Sequence, residues 1–536
     1  MLKRLRKLRK LKKLPACGQP ETENASRPPS NEPEAEMNLL TSLLTTNLTV
    51  LKERFQNSVD IVFREFKVGF DPNKSAALIY IDGLVNPESI NATILKPLMF
   101  DHEREELWKE LNQHDLLSFI RDYAVPNNRV QEFSQLQDIT DNILRGNSAL
   151  LLDGFNSALI FDSIGFDSRV IQEPATESVV RGPREGFNES LGTNLSLLRR
   201  KIINENLILE QLNLGTRTRT KVCFAYLNGV VNEKLVNEVR ARLQRIDVDG
   251  ILESGYIEQL IEDAPVSIFP TVGNTEKPDI LAAKLLEGRI GILVDGTPIA
   301  LTVPYILVEA LQSSEDYYAR PYYVTIVRWI RIASLMFALF LPAIYIAIQS
   351  FHPDLIPTPL LVSMAKAREG IPFPAYVEVF LMGMIFEILR EAGIRMPRPI
   401  GQAVSIVGGL VIGEAASKAN LVSDTVIIFV ALTGIASFVI PSLGDAIPLS
   451  RLFLMTWATF LGIFGILMGS IILLIHLVKL RSFGVPYMAP LAPGNLNDLQ
   501  DVLIKAPTWA LNTRPRILAA WNSIRGRSSR PSPKKK

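Results

Sequence analysis

FPAYVEVFLMGMIFEILREAGIRMPRPIGQAVSIVGGLVIGEAASK, residues Phe373–Lys418, decides how this chain is read. It sets carboxylates, guanidiniums and a ladder of small residues inside a strongly apolar region. Ionisable groups are costly in such a setting and mark functional positions by default. Glu378, Glu387, Arg390 and Arg398 are therefore candidate intramembrane or interfacial charges. Gly401, Ser405, Gly409, Gly413 and Ser417 recur at every fourth position. On a helix they make one ridge, along which a neighbouring helix approaches closely in lipid. Val404, Val407, Val411 and Glu414 fall on another face, apolar and ending in a charge. One face suits packing and the other suits a lumen.

Working outward, the apolar excess of the chain collects between Ile326 and Leu480, where several runs approach the roughly 20 residues that cross a bilayer. The 536 residues, 47% of them hydrophobic, are too many for one domain, and a mean hydropathy of +0.18 is too apolar for an ordinary soluble enzyme. Arg328, Trp329 and Arg331 precede the first clear span, where basic and aromatic residues suit a membrane interface, and Pro342 is expected to kink that span. Leu421–Leu443 and Arg451–Leu480 read as further spans. If the Glu-bearing helix from Ala375 crosses, there are five passes. If it lies at the interface there are four, and the basic tail, including Arg525, Arg527 and Lys534–Lys536, joins the soluble half. The basic tail favours four. Glu387 with Arg390, Glu391 with Arg395 and Glu414 with Lys418 are spaced for helical ion pairs.

Before this region lies an α/β half built as a duplication. Ala77–Leu98 and Lys221–Leu243 both read as a buried strand, a turn and a helix, with Tyr80, Gly83, Val85 and Asn86 in register with Tyr226, Gly229, Val231 and Asn232. Ser148–Phe161 and Gly291–Val303 both read as a strand, an Asp-Gly turn and a returning strand. Repeated order at similar separation implies two related subdomains. Helical periodicity is expected from Leu39 through Phe63, with Asp60 and Arg64 on the wet side. Between the copies, Arg181 and Arg184 bracket Gly182-Pro183 before a helix starting near Asn188. They suit either an anion contact at a helix start or, preferred, a contact between subdomains or subunits, with Glu177 and Glu185 near enough to pair with them.

The expected divisions are a basic head and acidic linker over 1–36, α/β subdomains over 37–190 and 191–320, a transmembrane domain over 321–480 and a basic tail over 481–536. The net charge of +2 conceals basic ends around an acidic linker, and neither end has the character of a nucleic-acid domain. The Lys- and Arg-rich head lacks the apolar run of a secretory signal. It reads either as a segment lying on an anionic membrane face or as a solvated tail. Cys17 and Cys223 stand in different contexts and imply no disulfide framework. His102, His114, His352 and His476 are scattered, and no metal-ligand spacing, phosphate loop or nucleophile elbow is present. No enzyme, metal site or cofactor is expected.

PRPIGQAVSIVGGLVIGEAA (Pro397–Ala416), the preceding FEILREAGIRMPRP (from Phe386) and VVRGPREGFNESLGTNLSLLRR (Val179–Arg200) closely resemble the A subunits of spore germinant receptors, the GerA family of spore-forming Firmicutes. The resemblance runs over about Leu51–Leu491, and its membrane motifs are shared with stage V sporulation protein AF. It implies a multi-pass protein of the spore inner membrane with its soluble half on the cytoplasmic side. It also implies a homo-oligomeric, nutrient-gated cation channel that works with a transporter-like, nutrient-binding B subunit and a lipoprotein C subunit. Pro399–Ala416 would be the conducting helix. The alternative is a non-conducting scaffold that assembles the receptor.

Overall fold

A computed structural model describes residues 38–526 apart from 57, 70, 101–115, 128, 166–172, 175, 397–407, 410, 495–500 and 516–523. Its first part holds α1 (Leu44–Arg54), β1 (Ile61–Val68), β2 (Asp71–Ile81), β3 (Val130–Phe133), α2 (Leu136–Leu144), β4 (Ser148–Leu152) and β5 (Ala158–Phe161). Its second holds α3 (Leu191–Lys201), β6 (Leu207–Leu214), β7 (Thr220–Leu227), α4 (Glu233–Gln244), α5 (Ser254–Ile261), β8 (Gly273–Thr275), α6 (Pro278–Leu286), β9 (Ile290–Val294) and β10 (Ala300–Val303). The strand orders β1-β2-β4-β5-β3 and β6-β7-β9-β10-β8 are the same topology written twice, and all pairs are antiparallel.

The repeated residues do the same work in both copies. Gly83 and Gly229 close the turn after the long strand at φ +81° and +75°, values that only glycine adopts freely. Asn86 and Asn232 then cap the following helix, each accepting backbone N–H bonds through its side chain. β4, β5, β9 and β10 are buried at every position. That is why they read as unbroken apolar runs: each sheet is covered on both faces.

Of the helical stretch expected from Leu39 to Phe63, only Leu44–Arg54 forms a helix. α1 ends at Arg54, and Ile61–Val68 is an edge strand paired with β2. Asp60 is buried rather than wet, because it meets Arg199 of α3. The guanidinium grips the carboxylate through Nε–Oδ2 at 2.8 Å and Nη2–Oδ1 at 3.0 Å, and Ser58 Oγ donates to the same carboxylate. With the Val59 N–H bond to the Leu209 carbonyl, this pair ties the edge strands of the two sheets together.

The helical half contains α7 (Pro321–Phe351), α8 (Thr358–Ala367), α9 (Ala375–Arg395), α10 (Asp424–Phe438) and α11 (Ala446–Lys479), with residues 411–418 also helical. α8 occupies the proline-punctuated stretch between α7 and α9. α7 rises from the α/β half, since Arg328 near its start binds Asp316 while Phe351 at its end touches Gly462. α9 descends, its Glu378 beside Ser423 and its Glu387 beside Arg451.

α11 is not one rod. Gly462 has φ +61° and ψ −138°, and the helix reverses there. A Cβ built on Gly469 would lie 3.1 Å from Leu454, a pair of residues that a straight helix would hold about 22 Å apart. Ala446 and Ile447 share an apolar cluster with Leu477 and Leu480. Among the described residues, α7 and α11 are long and apolar enough to cross a membrane by length and composition, and α10 is apolar but shorter. The reversal divides α11 into limbs of about 24 Å each, below the ~30 Å hydrocarbon thickness. Arg451–Leu480, expected as a single span, is therefore a hairpin.

Candidate ion pathway and coupling site

Residues 411–418 climb between α9 and α10. Gly408 faces α9, where an added Cβ would sit 2.9 Å from Leu389 Cδ2, and buried Gly413 faces α10, 3.7 Å from Ile427 on the same construction. Among the described residues, no atom lies within 4 Å of the corresponding position on Gly409. Among the described residues, Gly408 and Gly413 meet neighbours on different sides of this helix. Val411 is 56% exposed. Glu414 is also exposed and pairs with Lys418 at 2.6 Å. Gly401, Val404, Ser405, Val407 and Arg398 lie outside the described residues.

The charges on α9 find partners along the fold. Glu378 is fully buried, meets Arg368 Nη2 at 3.1 Å and accepts the Ser423 N–H at 2.9 Å, at the start of α10. Glu387 binds Arg390 at 2.7 Å one turn on and also Arg451 Nη2 at 2.6 Å, across the bundle. The local pairs Glu387–Arg390, Glu391–Arg395 and Glu414–Lys418 sit at their expected helical spacing. Nothing in the local sequence marks the partner from Arg451, because 64 residues separate it from Glu387.

Where the helices meet the α/β half, a second group of charges converges. Arg328, 1% exposed, binds Asp316 and Asp501 Oδ1, each at 3.0 Å, and donates to the Asp501 carbonyl. Arg331 adds a 2.8 Å contact to Asp316. Tyr317 donates to Asp501 at 2.9 Å, and Lys505 Nζ stands 3.7 Å over the Tyr317 ring. Of the residues expected at a lipid interface, only Trp329 turns outward. Arg328 and Arg331 turn inward because acidic partners from the preceding 3-10 turn and from the C-terminal segment await them.

Beside this junction Arg289 pairs with Glu309 and donates to the Pro304 carbonyl at 2.8 Å. Burial works to raise the Glu309 carboxyl, but Arg289 and Lys284 outweigh it and hold it below the usual carboxylate value. Burial of Glu287, whose cationic contacts are as long as 3.6 and 3.8 Å, instead pushes its carboxyl up. A mostly apolar cavity of about 80 Å³ lies between these carboxylates, Tyr317 and Asp501. The junction thus joins the second sheet, the foot of α7 and the C-terminal segment through side chains with few alternative partners.

Arg184 reaches Glu173 at 3.9 Å, within the crossover itself. The Arg181 backbone N–H binds Glu315, just ahead of α7. Glu177 and Glu185, expected to pair with these arginines, are engaged elsewhere: Glu177 with Thr275 and the Glu276 N–H, Glu185 with Arg200 and Lys201. Arg199, near the end of the same motif, makes the buried contact between the sheets. No group of three or more His, Cys, Asp or Glu side chains that could hold a metal ion occurs among the described residues.

The family model for the Bacillus/Clostridium GerA spore germination protein matches residues 49–517. The chain belongs to that family. Spore germination protein KA of Bacillus subtilis (strain 168) is 43% identical over 498 residues, covering 92% of this chain and 90% of the relative. Spore germination protein B1 of the same organism is 39% identical, covering 90% and 99%. The uncharacterized membrane protein YfkQ, also from Bacillus subtilis (strain 168), is 42% identical, covering 91% and 93%. Among solved structures, the N-terminal domain of the A subunit of the Bacillus megaterium spore germinant receptor GerK3 is 40% identical. It covers 49% of this GerA-family chain and 95% of its own, with a TM-score of 0.40.

Proposed function

We propose that this chain is the A subunit of a spore germinant receptor in the spore inner membrane. Several copies gather so that the segment through Val404, Val407, Val411 and Glu414 lines a path for monovalent cations, opened when nutrient reaches the complex. The observation that carries this reading is the two-sidedness of residues 408–418. Gly408 and Gly413 pack inward, while Val411 and Glu414 stand exposed on a helix otherwise held by its own bundle. In a ring of copies that face becomes an apolar constriction beside a carboxylate collar, which admits cations and gates by dewetting.

The transporter-like B subunit and the lipoprotein C subunit are the partners, and nutrient binding shifts the ring from closed to open. In this reading the α/β half and the C-terminal segment lie on the cytoplasmic side and the chain makes an even number of passes, which the contacts of both with the foot of α7 support. The two α/β subdomains, held together by Arg199 and Asp60, carry the subunit contacts of the ring.

Replacement of Val411 or Val407 by Ala is expected to cause monovalent cation leak without nutrient. Tight spores in both variants would remove this helix from the pore. The scaffold reading draws on one observation: the Lys418 ammonium already neutralises Glu414 at 2.6 Å. Purified protein in liposomes separates the two, because a scaffold passes no current.

A further inference from the structure

At the far end of the helical bundle, remote from the α/β half, buried polar atoms gather without hydrogen-bond partners among the described residues. They are Tyr345 Oη, Gln349 Oε1, Glu378 Oε1, Ser423 Oγ and Arg368 Nε. Glu378 is 0% exposed, Ser423 1% and Tyr345 4%. Glu378 and Ser423 are joined by the 2.9 Å bond from the Ser423 N–H. The Tyr345 hydroxyl and the Ser423 side chain are close enough to share a poorly aligned hydrogen bond, which leaves lone pairs on both oxygens; Tyr345 also lies within electrostatic reach of Glu378 and Arg368, and Gln349 stands one turn further along α7. Arg368 Nη2 comes to 3.1 Å from Glu378 Oε1 but is not aligned for a hydrogen bond. The guanidinium arrives from the connection between α8 and α9 and donates instead to the Phe373 carbonyl at 3.3 Å.

Four of these five orphaned atoms are oxygens, and one carries a formal negative charge. Buried polar groups are almost always satisfied by protein, water or an ion. Arg368 offsets the Glu378 charge from 3.1 Å but leaves its Oε1 without an aligned hydrogen bond. Hard oxygen donors suit alkali cations, and a single carboxylate among neutral hydroxyl and amide oxygens suits one positive charge; divalent sites recruit more carboxylates.

We propose that Glu378, Ser423, Tyr345 and Gln349 form a binding site for a dehydrated monovalent cation, and that Arg368 is a tethered cation competing for it. The site sits immediately behind the segment proposed to line the pore, since Ser417 on that segment bonds Asp424, the residue after Ser423. Its role in conduction rests on the channel reading, but its existence does not.

The test is equilibrium binding in the full-length protein in detergent, read as the thermal midpoint in potassium chloride against N-methyl-D-glucamine chloride at equal ionic strength. A saturable, potassium-specific rise is expected. Tyr345→Phe and Ser423→Ala each remove one oxygen and should raise the half-saturating concentration roughly three- to tenfold, the worth of one polar contact. Arg368→Gln should lower it about tenfold or more by removing the competitor. A merely structural ion pair would respond in the opposite sense, by losing stability in both salts. Glu378→Gln should abolish the effect, and if that variant fails to fold, Tyr345→Phe decides. Equal midpoints in both salts for the native chain would leave ordered water as the occupant and overturn the proposal, as would weaker binding in Arg368→Gln. Loss of current in liposomes with the potassium effect intact would count against the channel reading alone.

Discussion

Replacement of Asp60 by Asn should loosen the joint between the two sheets more than any surface change. The carboxylate takes two guanidinium bonds and one hydroxyl bond, and neither partner touches water: Arg199 is 0% and Asp60 5% exposed at the side chain. Asn keeps the volume and one acceptor but turns an amide N–H toward the guanidinium and leaves its charge uncompensated. Removing one partner of a buried pair costs about 3–5 kcal/mol, a large part of the 5–15 kcal/mol that holds a domain folded. Solvent screening gives no relief here. The assay is hydrogen exchange of the β6 and β7 amides in the full-length protein, where 3 kcal/mol corresponds to exchange about a hundredfold faster. Arg199→Met should cost a similar amount by stranding the carboxylate. The double replacement should cost clearly less than the sum, because two neutral groups of similar volume no longer need each other. A loss below about 1 kcal/mol in Asp60→Asn, or full additivity in the double variant, would refute the claim that this ion pair closes the joint.

Arg328→Met leaves Asp316 to Arg331 alone and Asp501 to Tyr317 and Lys505, and should loosen the C-terminal segment at a cost of up to about 3 kcal/mol, with trypsin cleavage at the now buried Lys505 as the readout. Gly462→Ala places a Cβ 3.0 Å from Phe351 and His352 in a left-handed turn. It should cost roughly 1–3 kcal/mol, seen as a lowered thermal midpoint. Burial, and then Glu262, Glu253 and Asp445, raise the Glu258 carboxyl from 4.5 to about 7. The folded chain therefore holds a proton that the unfolded chain releases, and stability falls as pH rises through that window and levels off above it. Glu258→Gln should flatten this slope and gain about 1–2 kcal/mol at pH 7.5, after allowance for partial solvent screening. A pH profile unchanged by the substitution would count against the raised value.

What the sequence displays is what local pattern can encode. The duplicated sheets are legible because the strand, turn and cap residues recur in register, from Tyr80-Gly83-Asn86 to Tyr226-Gly229-Asn232. The helical ion pairs are legible because three- and four-residue spacing fixes the geometry in advance. Asp60 misleads because its short segment fits the tail of a helical period. Only the distant Arg199 makes it a strand-flanking buried residue, with 139 positions between them.

The helical half fails in the same way, and at the same kind of residue. Hydropathy sees Ala446–Lys479 as one long apolar element and has no term for a glycine that reverses it. The reversal depends on Gly462 tolerating φ +61° and on Phe351 closing over it, a contact made by a helix more than a hundred positions upstream in the chain. The partners of Glu378 and Glu387 are likewise set by which helices descend and which climb. The candidate ion pathway therefore divides into two parts. The small and apolar faces of residues 408–418 are expectations drawn from spacing, while the buried charges behind them follow from the packing of α9 against α10 and α11. A variant that preserves the first and disturbs the second, such as Arg451→Met, should leave the helix in place and disturb the charge of Glu387 alone. If it instead unseats residues 411–418, the two parts are mechanically one.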